Sequence, residues 1–137
     1  MAKTAVVYHT ETGNSQKIAN AIASELGISA YNIATDPELR DIDLLFVVGG
    51  IYGGKSHPKL IEYMGRLDNT MVRRAAIITS CASGKRRQLQ LRQLLTDKGI
   101  KVLPDEFVCK ARFLFLRLGR PNKNDIDNIV AFAKAAM

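Results

Sequence analysis

A chain of 137 residues, 47% of them apolar, holds enough hydrophobic material for one ordinary domain with a single core and too little for two. Twenty Lys and Arg against thirteen Asp and Glu leave a formal charge of +7, which favours anionic partners without naming one. The two cysteines, Cys81 and Cys109, have no CxxC spacing, and no secretory leader or apolar run of about 20 residues is visible, so the composition excludes a disulfide scaffold and predicts a soluble cytoplasmic protein with reduced thiols and no membrane partner.

Ala5 to Tyr8 reads as a short apolar strand, and the polar stretch His9 to Asn14 leads into Ile18, Ala19, Ile22, Ala23 and Leu26, which repeat at helical spacing. Gly27 supplies a stop, and Ile28 to Ile33 reads as a second, weaker strand before the turn Asp36-Pro37. Leu44 to Val48 is a continuous apolar run ending in Gly49-Gly50, the pattern of a strand covered on both faces. After a loop over Ile51 to His57, Pro58 opens a helix bearing Leu60, Ile61, Met64 and Leu67, and Ala75 to Thr79 is a fourth strand. A helix with Leu91, Leu94 and Leu95 ends before Gly99. Ile100 to Val108 then forms a fifth strand whose Pro104 predicts an edge position. Beyond the basic-aromatic stretch Arg112 to Arg120, Asn122 or Asn124 caps a last helix carrying Ile126, Ile129, Val130 and Ala133, with Asp125 and Asp127 in its first turn.

Strands alternating with helices predict an α/β domain over residues 1–137, a doubly wound five-stranded parallel sheet in the order 2-1-3-4-5 with helices on both faces. Ligands of such sheets bind beyond the carboxyl ends of the strands, where the strand order reverses. That selects three loops: Thr10 to Ser15, Gly49 to Lys55, and Ser80 to Lys85.

The first loop, Thr10-Glu11-Thr12-Gly13-Asn14-Ser15, joins a strand to a helix. A phosphate there would accept the open N–H groups of the first helical turn and the hydroxyls of Thr10, Thr12 and Ser15, at the positive end of the helix dipole. The plainer alternative is a helix start capped by Asn14 or Ser15. The run Val6-Val7-Tyr8-His9-Thr10-Glu11-Thr12-Gly13-Asn14-Ser15, followed by Ala19 and Ile22, resembles the phosphate-loop motif of flavodoxins, with Ser15 where that family usually has Thr. The likeness extends to Gly49-Gly50-Ile51-Tyr52-Gly53-Gly54-Lys55 and Gly119-Arg120-Pro121-Asn122. It implies a flavodoxin-like fold, flavin mononucleotide (FMN) as cofactor, and an electron carrier or a small flavin reductase, the carrier favoured over a substrate-turning oxidoreductase, with no catalytic side chain of its own.

On that resemblance Gly50, Ile51, Tyr52, Gly53 and Gly54 line one side of the flavin ring, with the glycines admitting a flat ligand and Tyr52 offering a face for stacking. Ser80, Cys81, Ala82, Ser83 and Gly84 line the other, without the acidic and aromatic residues common in the family. Lys85, Arg86 and Arg87 bring cations there instead, which favours the reduced, negatively charged flavin and predicts an easier reduction than in acidic flavodoxins.

Two alternatives accompany this reading. Cys81-Ala82-Ser83-Gly84-Lys85-Arg86-Arg87 fits CxxGxxR, the loop of a cysteine-dependent phosphatase, although Ser80 and Gln88 replace the residues expected at its flanks. A flavodoxin fold without flavin would serve as a basic binding module. Lys110, Arg112, Arg117 and Arg120, interleaved with Phe113, Phe115 and Leu116, suit an acidic redox protein or a small anionic substrate docking on a monomer or weak dimer, or else the aromatics pack beneath the last helix and the cations are solvated. Nucleic acid has no supporting helix-turn-helix, zinc-knuckle or RNA-recognition pattern. His9 and His57 fall on loops at the proposed flavin edge without metal or triad spacing, so no metal site is expected.

Overall fold

The computed structural model describes residues 3–9, 13–52, 55–81, 88–110 and 123–137. Its central strands are β1 (Thr4–Tyr8), β3 (Ile42–Tyr52) and β5 (Val72–Cys81), flanked by β2 (Ala30–Asn32) on one side and by two short pieces, β6 (Lys101–Val102) and β7 (Phe107–Lys110), on the other. All of these pairings are parallel, and the order β2-β1-β3-β5 followed by β6 and β7 is the expected 2-1-3-4-5 arrangement, with the last position divided between two segments. The division brackets Pro104, which has no N–H to donate to a neighbouring strand.

The period-two alternation of the strands explains how the sheet takes helices on both faces. Val6, Tyr8, Leu44, Phe46, Val48, Ala76 and Ile78 point to one side. There they pack with Ile18, Ala19 and Ile22 of α1 (Asn14–Leu26) and Ile129 and Ala133 of α4 (Lys123–Ala136). Their neighbours Ala5, Val7, Leu45, Val47, Ala75 and Ile77 point to the other. They meet Leu60, Tyr63 and Met64 of α2 (Pro58–Met64) and Leu91 and Leu95 of α3 (Leu89–Asp97). Phe46, Leu44, Leu45, Ile77 and Ile78 are sealed from solvent, and each such side chain contributes about 1.5–3 kcal/mol of burial.

Helix boundaries follow local chemistry. α1 ends at Gly27, with Ile28 N–H donating to the Ala23 carbonyl at 3.0 Å, and Pro58 occupies the first turn of α2. The second strand is shorter than the apolar run suggested, because Asn32 turns its side chain to the Ala34 N–H and starts a 3-10 turn over Ile33–Thr35. The segment after Gly50 is not a simple loop as expected. β3 continues to Tyr52 and β4 (Lys55–Ser56) folds back antiparallel, pairing Ile51 with Ser56 and Tyr52 with Lys55. α4 begins at Lys123, so Asn124 is inside the helix and does not cap it. Asn122 lies outside the described residues. No described helix is long and apolar enough to cross a membrane.

Candidate functional site

Because β1, β3 and β5 run in parallel, their carboxyl ends, from which the three selected loops lead on in the sequence, come to one edge of the sheet. The β1–β3 pairing continues one residue past β1, where the His9 N–H donates to the Val48 carbonyl at 3.2 Å. The chain re-enters regular structure at Gly13, the N-cap of α1, whose φ of 88° lies in the left-handed region. A Cβ at this position would meet nothing within 4 Å, so glycine is required by the backbone torsion and not by crowding. Gly13 offers α1 no side-chain cap, and Asn14 and Ser15 are the first helical residues rather than caps. Ser15 is buried in that first turn.

At the second and third loops the register sets Gly49 beside Thr79 and Gly50 beside Ser80. Behind these pairs a buried polar network joins β3, β4, β5, the start of α3 and the residue before β7. The Gln88 side chain, 1% exposed, accepts from Ser56 Oγ at 2.9 Å and donates from Nε2 to Thr79 Oγ1 at 3.0 Å and to the Gly49 carbonyl at 3.4 Å. Glu106, whose side chain is fully enclosed, accepts from the Thr79 hydroxyl at 2.6 Å and from the Gln88 backbone N–H at 2.8 Å. Arg92 places its guanidinium 3.5 Å from the second carboxylate oxygen and also donates to the Leu103 carbonyl. A buried carboxylate is tolerable only with such donors and a countercharge. Gly49 has a steric role here. A Cβ on it would stand 2.6 Å from Leu60 Cδ2 and 3.3 Å from Gln88 Oε1.

The two histidines meet. The His9 ring, 6% exposed, lies 4.0 Å from that of His57 at a 30° tilt, and His57 Nδ1 caps α2 by accepting from the Lys59 N–H at 3.1 Å. Beside them runs a groove of about 430 Å³ lined by His9, Asn32, Lys59, Glu62, Tyr63 and Arg66. Much of its polar lining already serves the fold: Asn32 caps the 3-10 turn, the Tyr63 hydroxyl donates to the Pro37 carbonyl, and Arg66 pairs with Asp36 at 3.1 Å. Burial, reinforced by the Asp36 charge, pushes the Tyr63 hydroxyl up to about 12.

Of the residues selected from sequence, Gly13, Asn14 and Ser15 open α1, while Gly50, Ile51, Tyr52, Ser80 and Cys81 end β3 and β5 along the same edge. Thr10, Glu11, Thr12, Gly53, Gly54, Ala82, Ser83 and Gly84 lie outside the described residues, as do Lys85, Arg86 and Arg87 and the stretch 111–122. The Gln88–Glu106 network was not legible. Its one visible hint is Thr79, a hydroxyl residue directly after the apolar pair Ile77-Ile78 near the end of a strand.

Comparison with known proteins bears on the edge as a whole. The family model of a flavodoxin domain matches residues 5–134. An uncharacterized protein of Methanocaldococcus jannaschii is 30% identical, over 90% of this chain and 90% of its own length. Among solved structures, a variant flavodoxin of Fusobacterium nucleatum bound to flavin mononucleotide superposes with a TM-score of 0.70 at 13% identity, covering 98% of this chain and 94% of its own. Oxidised flavodoxin 2 of Bacillus cereus gives 0.66 at 14% identity, covering 98% and 97%. At these identities the solved structures share the fold.

Proposed function

The chain belongs to the flavodoxin domain family, and from that premise we propose that it binds FMN non-covalently and carries electrons. The observation that carries this reading is Gly13, a left-handed N-cap that opens a 13-residue helix beyond the carboxyl end of β1, at the point where strand order reverses. The Fusobacterium nucleatum flavodoxin that shares this fold holds FMN. In this chain Thr10, Glu11, Thr12, Gly13, Asn14 and Ser15 would surround the phosphate. Gly50 to Gly54 and Ser80 to Gly84 would flank the ring.

When bound, FMN supplies one- or two-electron transfer, and the protein's part is to hold, orient and tune it. N–H groups at the head of α1 offer hydrogen bonds and a favourable dipole to a phosphate dianion without a metal. Lys85, Arg86 and Arg87 set positive charge in the third loop, which raises the midpoint potential above that of acidic flavodoxins. The net charge of +7 suits an acidic redox protein or a small anionic substrate as partner to a cytoplasmic monomer or weak dimer. Visible absorbance of the purified protein, recorded before and after addition of FMN, tests the reading. A one-to-one complex with shifted flavin bands is expected, and a spectrum identical to free FMN overturns it.

A further inference from the structure

We propose that Gln88 is a positioning residue whose buried amide locks the β3–β4 hairpin to β5 and the start of α3, so that the strand ends leading to the two sides of the ring are held as one unit. The proposal rests on the flavin reading for the word ring, while the lock itself is a statement about the protein alone.

A primary amide has one acceptor oxygen and two donor hydrogens, and Gln88 directs them to different elements. Its oxygen takes the Ser56 hydroxyl of β4, 32 residues away, and its nitrogen serves Thr79 of β5 and the Gly49 carbonyl of β3. Its backbone N–H is in turn fixed by Glu106, the residue preceding β7. Packing alone does not require an amide there, since leucine has similar bulk and carries no desolvation cost. The hairpin, by contrast, needs a tie. It consists of two residue pairs, too few to hold a position by themselves, and Ser56 is the end of β4. The chain is shaped to this contact at Gly49, where any side chain would press on both Gln88 Oε1 and Leu60. Gln88 is also the N-cap residue of α3, so the same side chain that seats the hairpin stands at the start of that helix. Two ring-flanking segments joined before ligand arrives need not be ordered at the moment of binding, which preserves affinity.

The experiment compares wild type with Gln88→Leu and Ser56→Ala by amide hydrogen exchange of residues 49–56 without ligand, and by fluorescence titration with FMN and with riboflavin, which has the ring and no phosphate. Gln88→Leu is expected to melt cooperatively, to speed exchange in the hairpin by about tenfold, and to weaken both flavins by the same factor of about ten, so that their affinity ratio is unchanged. Ser56→Ala, which removes only the hairpin's end of the tie, moves both readouts the same way by less and adds nothing in the Gln88→Leu background. Unchanged hairpin exchange in both variants overturns the lock. A fall in the FMN-to-riboflavin ratio overturns the positioning role, because it means a general loosening that reaches the phosphate end. If Gln88→Leu does not fold, Ser56→Ala decides the same question alone. Should wild type bind neither flavin, the functional reading fails while the exchange result still decides the lock.

Discussion

The two ends of the candidate site are built by opposite means. At the head of α1 the arrangement is a backbone one: Gly13 turns left-handed and no N-cap side chain occupies the helix terminus. On the adjoining strands, at the ends of β3 and β5, the backbone is held by side chains, with Gln88, Glu106, Thr79, Ser56 and Arg92 joined in a buried network. A helix start built from backbone suits an anion whose geometry is fixed, such as a phosphate. A side-chain network suits a surface whose separate segments must agree with one another, as the two flanks of a flat ring must. The contrast separates affinity for charge from affinity for shape, and substitutions at the two ends should fail in different ways.

The largest effect is expected at Glu106. Glu106→Ala strands Arg92, Thr79 and the Gln88 N–H in a buried setting and should lower stability by about 3 kcal/mol in urea unfolding. A loss similar to that of an exposed substitution would mean that the network is not structural. At the other end, Gly13→Val forces a β-branched residue to a φ of 88° and should cost about 1–2 kcal/mol of stability. The same variant should reduce FMN affinity in a fluorescence titration by at least about a hundredfold, through the lost phosphate contacts. Equal affinity for riboflavin in this variant and wild type sharpens the contrast, and an equal loss of riboflavin breaks it.

The smallest effect belongs to the groove beside His9 and His57. Tyr63 is pushed up from 10.0 to about 12 by burial, and its neutral form is therefore the one the fold favours. Stability from this group is complete below the unfolded value and drains away as pH rises from 10 to about 12. Tyr63→Phe removes the hydrogen bond to the Pro37 carbonyl at a cost of about 1 kcal/mol. It should also flatten that alkaline decline, as read from melting temperature against pH, and should leave FMN affinity unchanged.

Legibility in the sequence followed the same division. Features carried by neighbouring residues could be read directly: the apolar run of β3, the stop at Gly27, Pro58 at the start of α2, and Pro104 at the broken edge. The Gly13 motif belongs with them, since a strand, a turn and a helix start lie within a dozen residues. Features made by distant residues could not. Gln88 meets Gly49 across 39 positions and Ser56 across 32, and single residues of that kind carry no local pattern. β5 extends beyond Ala75 to Thr79 because pairing with β3 accommodates Arg73 and Arg74, charges that end an apolar run on paper. The β3–β4 hairpin was hidden for a related reason, since the glycines that bound it read as loop. His57 read as a loop residue because imidazole is an uncommon helix cap.

The central claim is that the start of α1 binds a phosphate monoester, and calorimetric titration of the flavin-free protein with FMN and with riboflavin tests it most directly. One site is expected for each, with FMN bound at least about a hundredfold more tightly through the phosphate contacts. Equal affinities for the two would contradict it.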